Sequence, residues 1–224
     1  MFAWAIGEGI GEGILESNPV TGTNKASKDE PRERTLSDEE IVAIWNAAPH
    51  NHYGAIIKLL ILTGQRRDEI GSMHWSELEL KKRTLTLPGE RTKNHRTHGV
   101  PLSNAAIDIL DGIEQRVGRD LVFGFGEGGF SGWSYSKKQI DETINVPPWT
   151  IHDVRRTVRT GLGRLAVAPH VAEAVLNHLP GKLIRTYDAY KYENEKRQAL
   201  DLWAAHVAAL LAGEDKSNVH KLRA

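Results

Sequence analysis

The chain contains no cysteine. A disulfide framework and a cysteine-ligated zinc site are therefore both ruled out, and the composition gives no sign of an oxidising compartment. Long apolar runs are missing too. The stretch Ile56 to Leu62, broken by Lys58, is far shorter than the roughly 20 residues that cross a bilayer, so no membrane partner is expected. The apolar start is followed by Gly and Glu without a basic segment ahead of it, which speaks against a signal peptide, and a cytoplasmic setting is the expectation. An excess of either charge is also lacking, since 29 Lys and Arg balance 29 Asp and Glu, whereas dedicated DNA binders are usually basic overall.

The distribution of charge says more than its total. Between Lys81 and His98 the basic residues Lys81, Lys82, Arg83, Arg91, Lys93 and Arg96 meet only Glu90, and between Thr150 and Arg164 the four arginines 155, 156, 159 and 164 meet only Asp153. The acidic residues cluster elsewhere, so a neutral total is compatible with a basic face. With 224 residues there is material for one main domain and a fragment of another.

The periodicities predict a mainly helical chain with one small sheet. Phe2 to Leu15 reads as a short helix, and the polar stretch after Asn18-Pro19-Val20 as a linker. Ser37-x-x-Glu40 is a capping box ahead of Ile41, Ile44, Trp45 and Ala48, which share one helical face. A second helix, about Tyr53 to Leu62, is apolar nearly all round and hence central, with Gly64 suited to a left-handed C-terminal position; a short helix follows near Arg66. Leu78 to Leu80 and Thr84 to Leu87 form a hairpin around the basic turn 81–83, with a third strand near Gly99 to Leu102. Ser103 caps a helix carrying Ala106, Ile109, Leu110, Ile113 and Val117. Phe123 to Gly132 is a glycine-rich loop. Thr150, with Asp153 three places on, caps a helix to about Leu165. Pro169 opens another that ends at His178, and Glu193 to Leu211 is long, with Leu200, Trp203, Val207 and Leu210 on one face.

The polar residues at the edges of these elements form a kit for phosphoryl transfer without a metal or cofactor. A phosphodiester under attack gathers charge on its non-bridging oxygens, and guanidinium groups clamp such oxygens through paired hydrogen bonds. His152 and Arg155 lie three apart at a helix start, whose dipole also favours an anion. A tyrosine hydroxyl, with a reference pKa near 10, needs a cationic pocket or a base to attack. A lysine among cations can protonate a leaving oxygen.

Thr63-Gly64-Gln65-Arg66-Arg67-Asp68-Glu69-Ile70 resembles the first arginine box of tyrosine recombinases of the phage-integrase type. Thr92-Lys93-Asn94 ahead of Val100-Pro101-Leu102 resembles their lysine hairpin, His152-Asp153-Val154-Arg155 their HxxR box, and Leu176-Asn177-His178 their third box, all in the family's order. His178 stands 23 positions after Arg155 and nine before Tyr187, spacings that also match. The resemblance implies a mixed α+β catalytic-domain fold, mainly α, with a small antiparallel sheet. It implies that Arg66 and Arg155 bind the scissile phosphate, Lys93 is the general acid, His152 an acid/base helper, His178 a phosphate hydrogen-bond donor and Tyr187 the nucleophile, with Glu69 in support. The implied partners are double-stranded DNA at attachment sites, further copies of the chain as a tetramer on synapsed DNA, and accessory directionality factors, at the nucleoid. Residues 1–17 would be the last helix of a core-binding domain, 18–35 a linker, 36–212 the catalytic domain and 213–224 a tail. Asn177 stands where the family often has Gly, and Leu179-Pro180-Gly181 departs from its Ser-rich turn.

Blander explanations exist for each residue alone. Isolated arginines are mostly surface charges. His152 and His178 fit helix ends, and Tyr190 and Tyr192 rival Tyr187, which its spacing from His178 favours. Lys93 is equally readable as a solvated phosphate contact without chemistry. Gly124-x-Gly126-x-x-Gly129 lacks the βαβ setting of a dinucleotide site, so a flexible loop is expected; His95-x-x-His98 lacks the partners of a metal site. The Trp203 face fits a core, or alternatively a surface that docks on a neighbouring subunit. Two other functions compete with recombination: resealing of the same strand, as in type IB topoisomerases, and DNA binding without catalysis.

Overall fold

The structure is a computed structural model that describes residues 33–178 and 190–213. The chain divides into two units, Met1–Glu33 and Arg34–Ala224, and the second holds every described residue but Glu33. The expected N-terminal helix and linker up to residue 32, the tail beyond 213 and Tyr187 itself lie outside the described residues.

Helix α1 (Asp38–Ala47) starts at Ser37, whose side chain accepts from the Glu40 amide while Glu40 reaches back to the Ser37 amide, so two orphan donors are satisfied at once. Helix α2 (His52–Thr63) is the central rod. Its residues Ile56, Ile57, Leu59, Leu60, Ile61 and Leu62 are all buried, as an all-round apolar helix requires. It ends at Gly64, which has φ +65°, and a Cβ there would lie 2.8 Å from Leu176 and 2.9 Å from Val158. Glycine is thus needed for backbone shape and for space. The short helix α3 (Arg67–Gly71) comes directly after it.

Strands β1 (Leu78–Glu79), β2 (Thr84–Leu87) and β3 (His98–Pro101) form one antiparallel sheet in sequence order, with Leu85 opposite Val100 and Leu87 opposite His98. Helix α4 (Asn104–Asp111) is capped by Ser103. It stops at Gly112, short of the predicted extent, and Val117 is fully exposed. The apolar spacing that suggested a longer helix is cut by Gly112, a poor helix former.

Helix α5 (Trp133–Asp141) was not foreseen. It begins at Gly132 without a side-chain cap and buries only Ile140, so neither a capping nor a periodicity signal marks it. Tertiary packing holds it: the Trp133 indole lies on Gly71, where a Cβ would come within 2.4 Å of the ring.

Helix α6 (Ile151–Arg164) begins with the Thr150/Asp153 capping box. Helix α7 (Pro169–Val175) ends earlier than expected, because Asn177 takes φ +53° and breaks the helix before His178. Helix α8 (Glu193–Leu211) packs Leu200, Trp203 and Val207 into the core. Trp203 is 1% exposed, donates its indole N–H to the Ile61 carbonyl at 2.7 Å, and meets Gly161 so closely that a Cβ there would stand 2.2 Å from the ring. The Trp203 side chain is thus core within its own chain.

Candidate functional site

Arg155 is the hub of the site. It is 4% exposed and donates to the Gly64 carbonyl at 2.8 Å and to the Leu176 carbonyl. These oxygens cap the ends of α2 and α7, where helices leave carbonyls unsatisfied. One side chain therefore ties together the three segments 63–70, 152–155 and 176–178. Two of its five N–H groups are so used, leaving three, and among the described residues its hydrogen bonds go only to neutral acceptors. The other arginines of α6 are paired differently: Arg156 with Asp153, Arg159 with Glu173 and Arg164 with Asp38. Of the four positive charges foreseen there, Arg155 is the one without a carboxylate partner among the described residues. Burial, and then the neighbouring Arg66, bring its guanidinium down to about 10, so it stays charged at neutral pH.

Arg66 lies at the entrance to α3, about a quarter exposed. It donates to Glu69 at 2.7 Å, and its amide donates to the other Glu69 oxygen at 2.8 Å. Glu69 is buried. From behind, Arg91 reaches the Glu69 carbonyl at 3.0 Å and pairs with Glu77. Arg91, counted in the sequence only as one charge of a basic run, is a strut between the sheet and α3.

His152, exposed in the first turn of α6, has its pKa lowered by burial and by Arg156 and Arg155, with a further contribution from Arg66. His178 is also lowered by burial and by Arg155, against an upward pull from Glu173, whose carboxylate accepts from its Nδ1. Both rings thus feel the charges of Arg155 and Arg66. Glu173 in turn accepts from Arg159 at 2.8 Å, so its direction is fixed.

Lys93 is exposed on the turn between a 3-10 segment (Gly89–Arg91) and β3. Its neighbour Asn94 donates to the Asn177 carbonyl at 3.2 Å and to the Asn177 side chain at 2.8 Å, and Asn177 donates back at 3.3 Å. The lysine turn is thereby brought to the third box. Tyr187 lies outside the described residues, but its rivals lie within them. Tyr190 is 59% exposed, and Glu195 raises its pKa, the wrong direction for a nucleophile. Tyr192 takes φ +53° at the start of α8, with its ring 5.1 Å from that of His170.

Two further residues that sequence reasoning missed support the site from below. Gln65 and His98 reach the same Val175 carbonyl, at 3.0 and 3.1 Å. His98 is buried, and its pKa falls to about 3, first through burial and then through Lys196. It is a neutral structural ring, on the other side of the strand boundary from exposed His95. No group of three or more metal-ligating side chains occurs among the described residues. The glycine loop turns its carbonyls inward: Arg119 donates to those of Phe123 and Gly128, each at 2.9 Å, and Arg116 to that of Gly124. A phosphate cradle needs amides facing in, so this loop is the opposite of one.

Among the described residues no helix is long and apolar enough to cross a membrane. The phage integrase family model matches residues 34–194. Prophage integrase IntZ of Escherichia coli strain K12 is 28% identical over 211 residues, covering 89% of this chain and 52% of its own length. The chain thus spans about half of that relative and a smaller share of prophage integrase IntA, 38%. Among solved structures, an integrase from mycobacterium phage Brujita matches with a TM-score of 0.63 at 19% identity, over 94% of this chain and 72% of its own. A lambda integrase tetramer bound to a Holliday junction matches at 0.55 and 21%, over 80% and 55%. These matches identify the fold, mainly helical with a three-stranded antiparallel sheet, as that of tyrosine recombinase catalytic domains. The family match covers most of the chain and includes every site residue foreseen: this chain belongs to the phage integrase family.

Proposed function

We propose that the chain is the catalytic part of a site-specific recombinase that cuts and rejoins duplex DNA through a 3′-phosphotyrosyl link. The observation that carries this reading is the Arg155–Arg66 pair. A buried guanidinium held only by carbonyls among the described residues, with a second beside it that lowers its pKa, is electrostatically costly until an anion arrives. A phosphodiester is such an anion, and the remaining N–H groups suit its non-bridging oxygens.

In the reaction the Tyr187 oxygen forms a bond to phosphorus and the bond to the 5′ oxygen breaks. The phenol proton passes to a nearby base, for which His152, kept neutral by its surroundings, is suited. The 5′ oxygen takes a proton from Lys93. His178 can donate to the phosphate from Nε2 while Nδ1 stays on Glu173 only as an imidazolium, a state that the phosphate charge itself would favour. The 5′ hydroxyl of a partner strand then reverses the steps. The bond energy is kept in the phosphotyrosine, so no nucleotide cofactor enters the balance.

In this reading residues 36–212 are the catalytic domain, 1–17 end a separate DNA-clamping domain, 18–35 link the two and 213–224 are a tail. The partners are attachment-site DNA and further copies of the chain as a tetramer on synapsed duplexes, aided by directionality factors in the bacterial cytoplasm. The test uses a library of randomised duplexes, each nicked near its centre so that a cleaved strand loses its religating end. Incubation with the chain should leave protein–DNA adducts that survive denaturation, share a sequence, and vanish in Tyr187→Phe. Absence of any adduct, or persistence in Tyr187→Phe with loss in Tyr190→Phe, contradicts the reading.

A further inference from the structure

Asn94 and Asn177 lie 83 positions apart, and each is the immediate neighbour of a site residue: Asn94 follows Lys93 and Asn177 precedes His178. The two amides exchange hydrogen bonds in both directions, and Asn94 adds a third to the Asn177 backbone. Arg91 anchors the base of the Lys93 turn to α3, but past it the turn has little else to fix it among the described residues. Lys93, His95, Arg96 and Thr97 are all exposed, and the local bonds of Thr92, to the Gly89 and Arg96 carbonyls at 3.1 and 2.8 Å, close the turn on itself without attaching it to the helices. Asn94 supplies the bonds that cross to them.

Asn177 is fitted to this task in two ways. Its φ of +53° is one that Asn tolerates better than other residues with a Cβ, and its amide supplies an acceptor and a donor that a Gly in the same conformation would lack. We propose that the Asn94–Asn177 pair is a clasp that positions Lys93 over the leaving oxygen by fastening its turn to the His178 segment. Both asparagines are positioning residues in this scheme, and the proposal rests on the reading of Lys93 as general acid.

The backbone and clasp functions of Asn177 can be separated, because Asn177→Gly keeps the left-handed conformation and removes only the amide. The test uses the duplex recovered by covalent capture from the randomised library, made in two forms, with oxygen or with sulfur at the 5′ bridging position of the scissile phosphate. A thiolate, whose conjugate acid has a pKa of roughly 8.5, leaves without a proton donor, whereas an alkoxide does not.

On the oxygen duplex, Asn94→Ala and Asn177→Gly should each slow single-turnover cleavage by about 10- to 100-fold, the order of loss for misplacing a reacting group by about 1 Å. The double variant should be no slower than the worse single one, and DNA affinity should not change. On the sulfur duplex both variants should return to the wild-type rate, as Lys93→Ala should. Unchanged rates on oxygen, or equal losses on both duplexes, overturn the clasp while leaving the recombinase reading intact. A wild-type chain that forms no Tyr187 adduct on either duplex overturns that reading and the clasp with it.

Discussion

The two halves of the site are built differently. The arginine half is anchored in the core: Arg155 is buried and fastened to two helix ends, and Arg66 is held by buried Glu69 and backed by Arg91. The lysine half is an exposed turn: past the Arg91 strut at its base, one amide pair attaches it to the helices. The difference matches the chemistry each would perform. Holding a phosphate calls for preorganised donors that do not reorient as charge develops, and these come at the cost of burying charge. Delivering a proton needs a group that can reach its target and retreat, so an exposed turn with a single fastening suffices.

If the halves differ in this way, loss of activity and loss of stability should separate along the same line. Lys93→Ala should slow cleavage by about 10²- to 10⁴-fold, the usual worth of a general acid, while its melting temperature stays at the wild-type value because the side chain is exposed. Calorimetry beside a cleavage assay checks both, and a large fall in melting temperature would erase the contrast. Arg155→Lys should do both kinds of damage. An ammonium cannot span the Gly64 and Leu176 carbonyls as the planar fork does, so cleavage should drop by about 10²- to 10³-fold. The unfolding free energy should fall by about 1–3 kcal/mol as a buried acceptor loses its donor.

Acid should loosen the arginine half. His98 has a folded pKa of about 3 against an ordinary value of 6.5, so the unfolded chain takes up this proton first. Its contribution to stability is intact above about pH 6.5 and declines as pH falls toward about 3, with a slope approaching 1.4 kcal/mol per pH unit. Denaturant unfolding of wild type and His98→Gln across that window should give a shallower decline in the variant; parallel curves would rule out the assignment. The smallest effect expected is at Glu173→Gln. Its carboxylate raises the His178 pKa, so removing the charge should move the His178 titration, followed by NMR, to lower pH. A shift upward would mean that Glu173 does not face the ring in solution.

The same contrast explains what the sequence disclosed. Elements with a cap and a strong period were legible: Ser37 and Glu40 announced α1, the apolar run and Gly64 set the limits of α2, and Thr150 with Asp153 announced α6. Helix α5 escaped because its reasons lie elsewhere in the chain, in the space that Gly71 leaves for Trp133. In the site, the residues with chemistry of their own stood out by type and spacing. Those that act by holding others did not: Gln65 and His98 on the Val175 carbonyl, Arg91 behind Glu69, and the asparagine pair each depend on a partner distant in sequence. Asn177 came nearest to being readable, since Asn is the residue with a Cβ that most readily takes the positive φ found there.

The central claim is that the phosphate held by Arg66 and Arg155 is attacked by Tyr187. Covalent adducts formed on the captured duplex should be digested with nuclease and trypsin, and the peptide spanning residues 186–191, which holds both Tyr187 and Tyr190, fragmented by tandem mass spectrometry. The account predicts the nucleotide mass on Tyr187 alone. Its appearance on Tyr190, or on a peptide carrying Tyr192, would contradict it.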